Sequence, residues 1–211
     1  NIAFEEGVFD KLMMTTELGV IGGVPERGKN FGPAKNPVAF ISQSSMFDFY
    51  DGGGLDLTCI GMAQVDENAN VNVSKLGQVA IGAGGFINLT QSAKKLVFCG
   101  EFTAVGSKTE VKDGKLNIIN EGKVKKFIKK VEQITYSGKF ALENHQDVTF
   151  ITERCVFKLV PEGLMITEIA PGINLEKDIL SQMEFKPVIP DKIKIMNEHI
   201  FLPEPMNIKF E

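Results

Sequence analysis

Glu17 is the residue whose neighbours are best suited to chemistry. It is followed closely by Gly19, Gly22, Gly23 and Pro25. Because glycine carries no side chain, a bulky molecule can approach the backbone of such a segment closely. A carboxylate placed there can act as a covalent nucleophile, which divides one difficult transfer into two easier steps. The same pattern also fits an ordinary solvated glutamate on a turn, so the residues alone leave both interpretations open.

Two further glycine clusters follow along the chain. One spans residues 52–54, and the other comprises Gly82, Gly84 and Gly85 around an alanine. Attack on a thioester creates an oxyanion, which backbone N–H groups stabilise when they are fixed in advance. The second cluster can supply such donors with no side chain in the way. It lacks the spacing of the dinucleotide-binding pattern G-x-G-x-x-G.

Strands and helices are both expected around these loops. Apolar spacing predicts a helix over residues 2–12, whereas the glycines and proline predict a strand end or tight loop at Glu17. The pair Asp113-Gly114 predicts a hairpin, and Asn174 is suited to cap a helix that ends near Met183. Strands are expected over residues 57–65, 71–74, 96–99, 148–159 and 164–169, with an irregular loop over 28–37. This mixture indicates an α/β or α+β domain.

The composition excludes some classes of partner. Hydrophobic residues make up 43% of the chain and charged residues 24%, which is typical of a globular protein with a real core. The formal charge of −4 offers no basic excess for DNA or RNA. No apolar run approaches the roughly 20 residues that span a bilayer. We therefore expect a cytoplasmic protein that binds neither nucleic acid nor membrane.

No metal site or disulfide is expected. Cys59, Cys99 and Cys155 are far apart and form no C-x-x-C pair. Each lies in an apolar run, which predicts three buried, reduced thiols. His145 and His199 have no cysteine or paired carboxylate at the spacing that metal ligands require.

The order of motifs resembles the second half of the family I coenzyme A transferases, most closely the acetate/propionate CoA-transferase branch. The motifs are Thr-x-Glu-x-Gly-x-x-Gly-Gly-x-Pro, then Gly-Gly-x-Leu-Asp-Leu, then Gly-x-Gly-Gly. Supporting segments lie at residues 131–135, 152–154 and 168–172, so the resemblance covers residues 1 to about 187. It implies an α/β fold: an open three-layer sheet-and-helix domain of the NagB/RpiA/CoA transferase-like type, with β-hairpin additions.

The resemblance implies a ping-pong reaction with Glu17 as the nucleophile. CoA would pass from a short-chain acyl-CoA to a carboxylic acid through a glutamyl-CoA thioester, and no metal or other cofactor would be needed because CoA is a substrate. The N–H donor of the oxyanion loop, which begins at Gly82, corresponds to Gly84 or Gly85. The substrate pocket would involve Gly19, Gly22, Gly52 and Gly53, although the loop at 52–54 also fits a simple tight turn.

The resemblance also implies that the family's other half is needed. Residues 1–211 correspond to the C-terminal, beta-type domain, without its start and without the preceding alpha-type half. The chain opens on Asn1 rather than methionine, which we interpret as a piece of a longer polypeptide. Its expected partners are acyl-CoA, short-chain carboxylates and the alpha-type half, within a homo-oligomer. Alone it is expected to be inactive or very weak.

Several alternatives stay open from the sequence. The chain could be a non-catalytic CoA-binding or regulatory module, or an acyl-CoA hydrolase on the same fold. The acid could be acetate, propionate, butyrate, lactate or acetoacetate.

A lysine cluster fits a solvated face better than a site for CoA phosphates; it comprises Lys123, Lys125, Lys126, Lys129 and Lys130. Ala69 replaces a glycine that the family usually has, so we expect a turn there that avoids positive φ.

Overall fold

The computed structural model describes residues 2–26, 28–30 and 32–209, which divide into two compact units. The smaller unit comprises residues 1–54 and 203–211, and the larger unit comprises residues 55–202. The elements of the smaller unit are β1 (Thr15–Thr16), β2 (Val20–Ile21), β3 (Val24–Pro25), β4 (Ala34–Lys35), β5 (Ala39–Phe40), α1 (Ile2–Glu5) and α2 (Gln43–Asp51), with 3-10 turns at Phe9–Lys11 and Gly28–Asn30.

The helices of the smaller unit differ from expectation. The helix predicted over residues 2–12 is only one turn long, because Gly7 adopts a φ of +69° and the chain continues as a separate 3-10 turn. Helix α2, by contrast, had not been predicted. Ser42 begins it, since the Ser42 hydroxyl accepts a hydrogen bond from the N–H of Ser45 at 3.1 Å. This is the usual way to satisfy a free donor at a helix start.

The larger unit contains most of the regular structure. Its elements are β6 (Leu57–Gly61), β7 (Gln64–Val65), β8 (Val71–Asn72), β9 (Lys75–Leu76), β10 (Val79–Ala80), β11 (Lys95–Cys99), β12 (Thr103–Ala104), β13 (Lys108–Lys112), β14 (Lys115–Asn120), β15 (Val124–Lys125), β16 (Asp147–Ile151), β17 (Cys155–Val160), β18 (Gly163–Ile169), β19 (Lys194–Ile195), α3 (Phe86–Gln91) and α4 (Gly138–Glu143).

A six-stranded mixed sheet organises this unit, in the order β19-β18-β17-β16-β11-β6. Strands β6, β11 and β16 run parallel, whereas β16, β17 and β18 form an antiparallel meander. The aromatic core includes Phe98, stacked on Phe150 with ring centroids 5.0 Å apart, and Phe102, stacked on Phe127 at 4.7 Å. The predicted α/β class with added hairpins is confirmed, although the helices described are few and short.

The predicted hairpin at Asp113-Gly114 is confirmed. Strands β13 and β14 pair antiparallel around it, and Asp113 and Gly114 adopt φ values of +52° and +69°. Positive φ at both central residues is the requirement of the tight turn that matches strand twist. The local sequence was therefore sufficient to specify this element.

The expectation for Ala69 was wrong. Its φ is +58°, in the left-handed region that an alanine rarely adopts, and the residue is buried. The carboxylate of Asp66 accepts hydrogen bonds from the N–H groups of Asn68 and Asn70, both at 3.0 Å. The side chain of Asn70 in turn accepts from the N–H of Gly138 at 3.1 Å. These bonds hold the turn in a strained conformation of the kind that costs about 1–2 kcal/mol.

The expectation of three buried thiols was wrong for two of them. All three cysteines are free, but only Cys155 is buried, whereas Cys59 and Cys99 are exposed. Successive strand residues point to opposite faces of a sheet. Because Leu96 and Phe98 of β11 enter the core, Cys99 in the same strand must face away from it.

The lysine cluster is not uniformly solvated, contrary to expectation. Lys126 is 8% exposed, whereas the other four lysines remain at least partly exposed. Burial lowers the pKa of Lys126, although the nearby charges of Glu101 and Glu153 oppose this effect. The side chain therefore contributes to the interior of the larger unit.

The segment after β18 begins with the predicted cap. The side chain of Asn174 accepts a hydrogen bond from the N–H of Lys177 at 2.9 Å. The segment then forms a π-helix at Leu175–Ile179 and a 3-10 turn at Leu180–Gln182, rather than one regular helix. Further along, the chain adds β19 beside β18 and a 3-10 turn at Glu198–Phe201.

A buried arginine joins four segments of the larger unit. Arg154 is fully buried, and its guanidinium donates to both carboxylate oxygens of Glu121 at 2.6 and 2.8 Å. It also donates to Glu153 at 2.9 Å and to the carbonyl oxygen of Asp178 at 2.8 Å. The hydroxyl of Thr103 completes the set by donating to Glu121. The motif at residues 152–154 that supported the resemblance thus includes an internal structural link.

We expect acid to weaken this link. Burial alone would raise the pKa of Glu121, but hydrogen bonds from Arg154 and Thr103, with the arginine charge, lower it overall. A carboxyl group whose pKa is lower in the folded state than in the unfolded state stabilises the fold at pH values above 4.5, its ordinary pKa. This stabilisation is lost as the pH falls through the lower pKa of the folded state. The free energy of unfolding, measured with urea between pH 7 and pH 3, should therefore fall less steeply with acid in Glu121→Gln than in the unchanged protein. Changing the exposed Glu162 to Gln is the control, and an equal flattening there would contradict the assignment.

Candidate active site

Glu17 lies at the tip of a hairpin in the smaller unit. Thr16 of β1 pairs with Val20 of β2, so Glu17, Leu18 and Gly19 form a three-residue loop. The N–H of Gly19 donates to the carbonyl oxygen of Thr16 at 3.0 Å, and Gly19 adopts a φ of +97°. A left-handed residue at the third position is typical of such loops. The loop leaves the Glu17 side chain partly exposed, as a nucleophile requires.

The two threonines before Glu17 are each held by a hydrogen bond. The hydroxyl of Tyr50 in α2 donates to the Oγ1 of Thr15 at 2.8 Å. The hydroxyl of Thr16 donates to the carbonyl oxygen of Gly32 at 2.6 Å. Adjacent strand residues point to opposite sides, so β1 is fixed from both sides immediately before Glu17.

The glycines after Glu17 are packed against the protein's own chain. A Cβ on Gly19 would overlap the carbonyl oxygen of Ile41, and one on Gly22 would lie 2.6 Å from the side chain of Val38. The space beside these glycines is therefore filled. This differs from the sequence interpretation, in which glycines opened the segment to a bulky molecule. Their predicted contribution to a substrate pocket stays a prediction, while their structural role in shaping the Glu17 loop is clear.

Gly19→Ala is expected to destabilise the smaller unit by more than about 2 kcal/mol. About 1–2 kcal/mol comes from the left-handed backbone alone, and the overlap with Ile41 adds to it. Gly7→Ala is the matched control, because Gly7 also has positive φ but a Cβ there meets nothing within 4 Å. Urea unfolding of both variants measures the difference. Equal losses would show that close packing at Gly19 contributes nothing.

The other predicted pocket glycines follow α2. Gly52 ends the helix and donates its N–H to the carbonyl oxygen of Asp48 at 3.0 Å. Gly53 has a φ of +83° and open space where a Cβ would be. A tight turn therefore explains both glycines, while a pocket role for them remains a prediction.

The predicted oxyanion glycines lie in the larger unit, before α3. A Cβ on Gly82 or Gly84 would meet nothing within 4 Å. The N–H of Gly82 is already used, since it donates to the carbonyl oxygen of Ser74 at 3.0 Å. Within the described part of the chain, the N–H groups of Gly84 and Gly85 have no such acceptor. These two therefore remain available as donors.

The chain matches known coenzyme A transferases over nearly its whole length. It is 49% identical over 205 residues to acetate CoA-transferase YdiF of Escherichia coli K12, and 50% identical over 206 residues to caffeate CoA-transferase of Acetobacterium woodii. A crystal structure of the acyl-CoA transferase YdiF from Escherichia coli O157:H7, in a thioester complex with CoA, superposes with a TM-score of 0.92 at 47% identity. The chain belongs to the family I coenzyme A transferases.

The match covers nearly all of this chain but well under half of each relative. It covers 97% of this chain for the Escherichia coli K12 relative, 95% for the caffeate enzyme and 99% for the crystal structure. It covers 39% of each of those proteins. No family model matches the chain. The CoA transferase-like fold predicted from the motifs is confirmed by the superposition.

Tyr50 is the residue at this site of the CoA transferase chain that the sequence prediction missed. It is 1% exposed, and burial raises its pKa; the hydrogen bond to Thr15 opposes this, and the nearby charge of Glu17 reinforces it. Two signals could have identified it. Serines at the start of α2 are good caps, and Met46 and Tyr50 have the four-residue spacing of a buried helix face.

Across residues 2–26, 28–30 and 32–209, no three His, Cys, Asp or Glu side chains lie together as metal ligands would. Over the same residues, no helix has the length and apolar character needed to cross a membrane.

Proposed function

We propose that this chain carries the catalytic carboxylate of an enzyme that transfers CoA from a short-chain acyl-CoA to a carboxylic acid. The observation that carries the proposal is the match of 99% of the chain to a transferase solved as a thioester with CoA. Glu17 is the carboxylate suited to form such a thioester here, because its hairpin presents it to solvent and holds its backbone from both sides.

The reaction proceeds through two kinds of covalent intermediate on Glu17, a mixed anhydride and a CoA thioester. Its carboxylate attacks the acyl-CoA carbonyl and expels CoA thiolate, which forms a mixed anhydride. The thiolate then attacks the glutamyl carbonyl, so that the first acid leaves and a glutamyl-CoA thioester remains. A second carboxylate attacks this thioester, which expels CoA thiolate and gives a second mixed anhydride. The thiolate then attacks the acyl carbonyl of that anhydride, so that the new acyl-CoA forms and the Glu17 carboxylate leaves. Glu17 is regenerated as a carboxylate, and each step exchanges one acyl bond for another.

Gly84 or Gly85 is the proposed N–H donor to the oxyanion formed at each step. Donors that are fixed before the reaction stabilise developing charge most effectively. Gly82 is a poorer candidate because Ser74 already accepts its N–H. Gly82 would instead hold the loop in shape.

The whole enzyme requires more than this chain. The relatives extend well beyond the matched part, which covers 39% of their length. We therefore assign CoA binding in part to an alpha-type half, within a cytoplasmic homo-oligomer. The relatives are named for acetate and for caffeate, and acetate and propionate are the first acids to assay.

Trapping the intermediate tests this function directly. The enzyme assembled with its other half is incubated with acyl-CoA, treated with borohydride, and digested for peptide mass mapping. Reduction of a glutamyl-CoA thioester converts the Glu17 carboxyl group to an alcohol, whereas the free carboxylate does not react. Modification at Glu17 that depends on acyl-CoA is the expected result. No modification in the intact enzyme would favour a non-catalytic module.

A parallel assay separates transfer from hydrolysis. If water attacks the glutamyl-CoA thioester, free CoA accumulates without an acceptor acid. A transferase instead gives new acyl-CoA in proportion to the added acetate or propionate. The second outcome is expected.

A further inference from the structure

We propose that Tyr50 is a positioning residue for Glu17, acting through its hydrogen bond to Thr15. The inference rests on the proposed function, because it assumes that Glu17 is the nucleophile. Tyr50 itself needs no contact with substrate. It fixes the strand from which the reacting carboxylate projects.

The geometry links Tyr50 to Glu17 over a short path. The Tyr50 hydroxyl donates to Thr15 Oγ1 at 2.8 Å, and Thr15 lies two residues before Glu17. Glu17 follows β1 directly, as the first residue of the loop. The charge of Glu17 is also close enough to affect Tyr50, since it contributes to the raised pKa of the phenol. The raised pKa keeps the phenol protonated, so its hydroxyl can donate the hydrogen bond to Thr15.

The segment that carries Tyr50 also holds the other side of the Glu17 loop. Just before α2, the N–H of Ile41 donates to the carbonyl oxygen of Gly19 at 2.9 Å. One continuous segment, residues 41–50, thus contacts the residue two positions before Glu17 and the residue two positions after it. A rigid element that grips both sides of a loop can hold its tip in one geometry.

The helix is itself well fixed. Tyr50 and Met46 on its buried face are 1% and 0% exposed. The ring of Phe47 lies edge-on to Tyr50, with centroids 6.3 Å apart. This packing fixes the rotamer of Tyr50, so its hydroxyl holds Thr15 at one position relative to α2.

The position of the Glu17 carboxylate affects the chemical steps more than it affects the binding of acyl-CoA. Glu17 forms or breaks a bond at each of four successive steps, and small misplacements of a reacting group lower rates by as much as about 100-fold. CoA binding depends on other parts of the enzyme. Loss of the Tyr50 hydroxyl should therefore lower kcat and leave KM for acyl-CoA nearly unchanged.

The test compares four single variants, and the double variant Tyr50→Phe with Thr15→Val, in the assembled enzyme. Tyr50→Phe and Thr15→Val each remove one partner of the hydrogen bond, and Thr15→Ser keeps the acceptor oxygen. Phe47→Leu is the control for general loosening of α2, because it removes ring packing but no hydrogen bond. The measured quantities are kcat, KM, the rate of Glu17 acylation after mixing with acyl-CoA, and the midpoint of thermal unfolding.

We expect Tyr50→Phe and Thr15→Val each to lower the Glu17 acylation rate by roughly 10- to 100-fold. The double variant should be no slower than the worse single variant, because both changes remove the same interaction. Thr15→Ser should restore most of the rate. Phe47→Leu should lower the unfolding midpoint without a comparable loss of rate.

Two results would overturn the inference. One is an acylation rate in Tyr50→Phe equal to that of the unchanged enzyme. The other is a loss in Phe47→Leu as large as that in Tyr50→Phe, which would indicate a merely structural role. Failure of the proposed function is recognised separately, because in that case the unchanged enzyme forms no adduct at Glu17.

Discussion

Glu17→Gln is expected to lower CoA transfer by at least about 1,000-fold, the scale on which the loss of a covalent nucleophile is felt. The amide has nearly the shape of the carboxylate but cannot form the anhydride or accept CoA as a thioester. Glu17 is partly exposed at the hairpin tip, so the fold should be unaffected. The measurement is CoA transfer from an acyl-CoA to acetate in the assembled enzyme, with thermal unfolding as the test of folding.

Two controls sharpen this prediction. Glu17→Asp keeps the carboxylate but shortens the side chain by one methylene, so placement alone should cost about 100-fold or more. Glu26→Gln removes another carboxylate of the same unit, which pairs with Lys35 at 3.3 Å, and should leave transfer unchanged. Near-normal transfer in Glu17→Gln would mean that the nucleophile lies elsewhere.

Local sequence signals were sufficient for part of the fold. Asp113-Gly114 specified its hairpin because both residues tolerate the positive φ that the turn requires. Asn174 specified a cap for the same kind of local reason. Ala69 could not be interpreted locally, because its left-handed conformation is maintained by hydrogen bonds that the side chains of Asp66 and Asn70 accept, and only the folded turn brings these groups together.

Glu17 was identified from the sequence as the candidate nucleophile, whereas the contacts that hold its loop were not predicted. Glu17 stands in a motif that can be recognised along the sequence. Tyr50 contacts Thr15 from 35 residues away, and Gly19 packs against Ile41. No local propensity encodes such pairs. Gly19 and Gly22 illustrate this limit, since their residue type suggested space for a substrate, whereas a Cβ on either would meet the protein's own chain.

Arg154→Ala is expected to destabilise the larger unit by about 3–5 kcal/mol, the usual loss when one partner of a buried ion pair is removed. The side chain is fully buried and donates to Glu121, Glu153 and the backbone of Asp178. Its removal leaves these acceptors without their donor and leaves a cavity among four segments. Urea unfolding at pH 7 measures the loss.

Two comparisons separate the guanidinium geometry from charge alone. Arg154→Lys keeps the positive charge but not the planar fork that reaches Glu121 and Glu153 together, so it should recover only part of the loss. Lys194→Ala removes an exposed ion pair with Glu168 at 3.7 Å and should cost no more than about 1 kcal/mol. If Arg154→Ala were as mild as Lys194→Ala, the network would contribute little to stability. A large loss with only partial recovery by lysine would instead establish that this arginine binds the meander to the segments around it through directional hydrogen bonds.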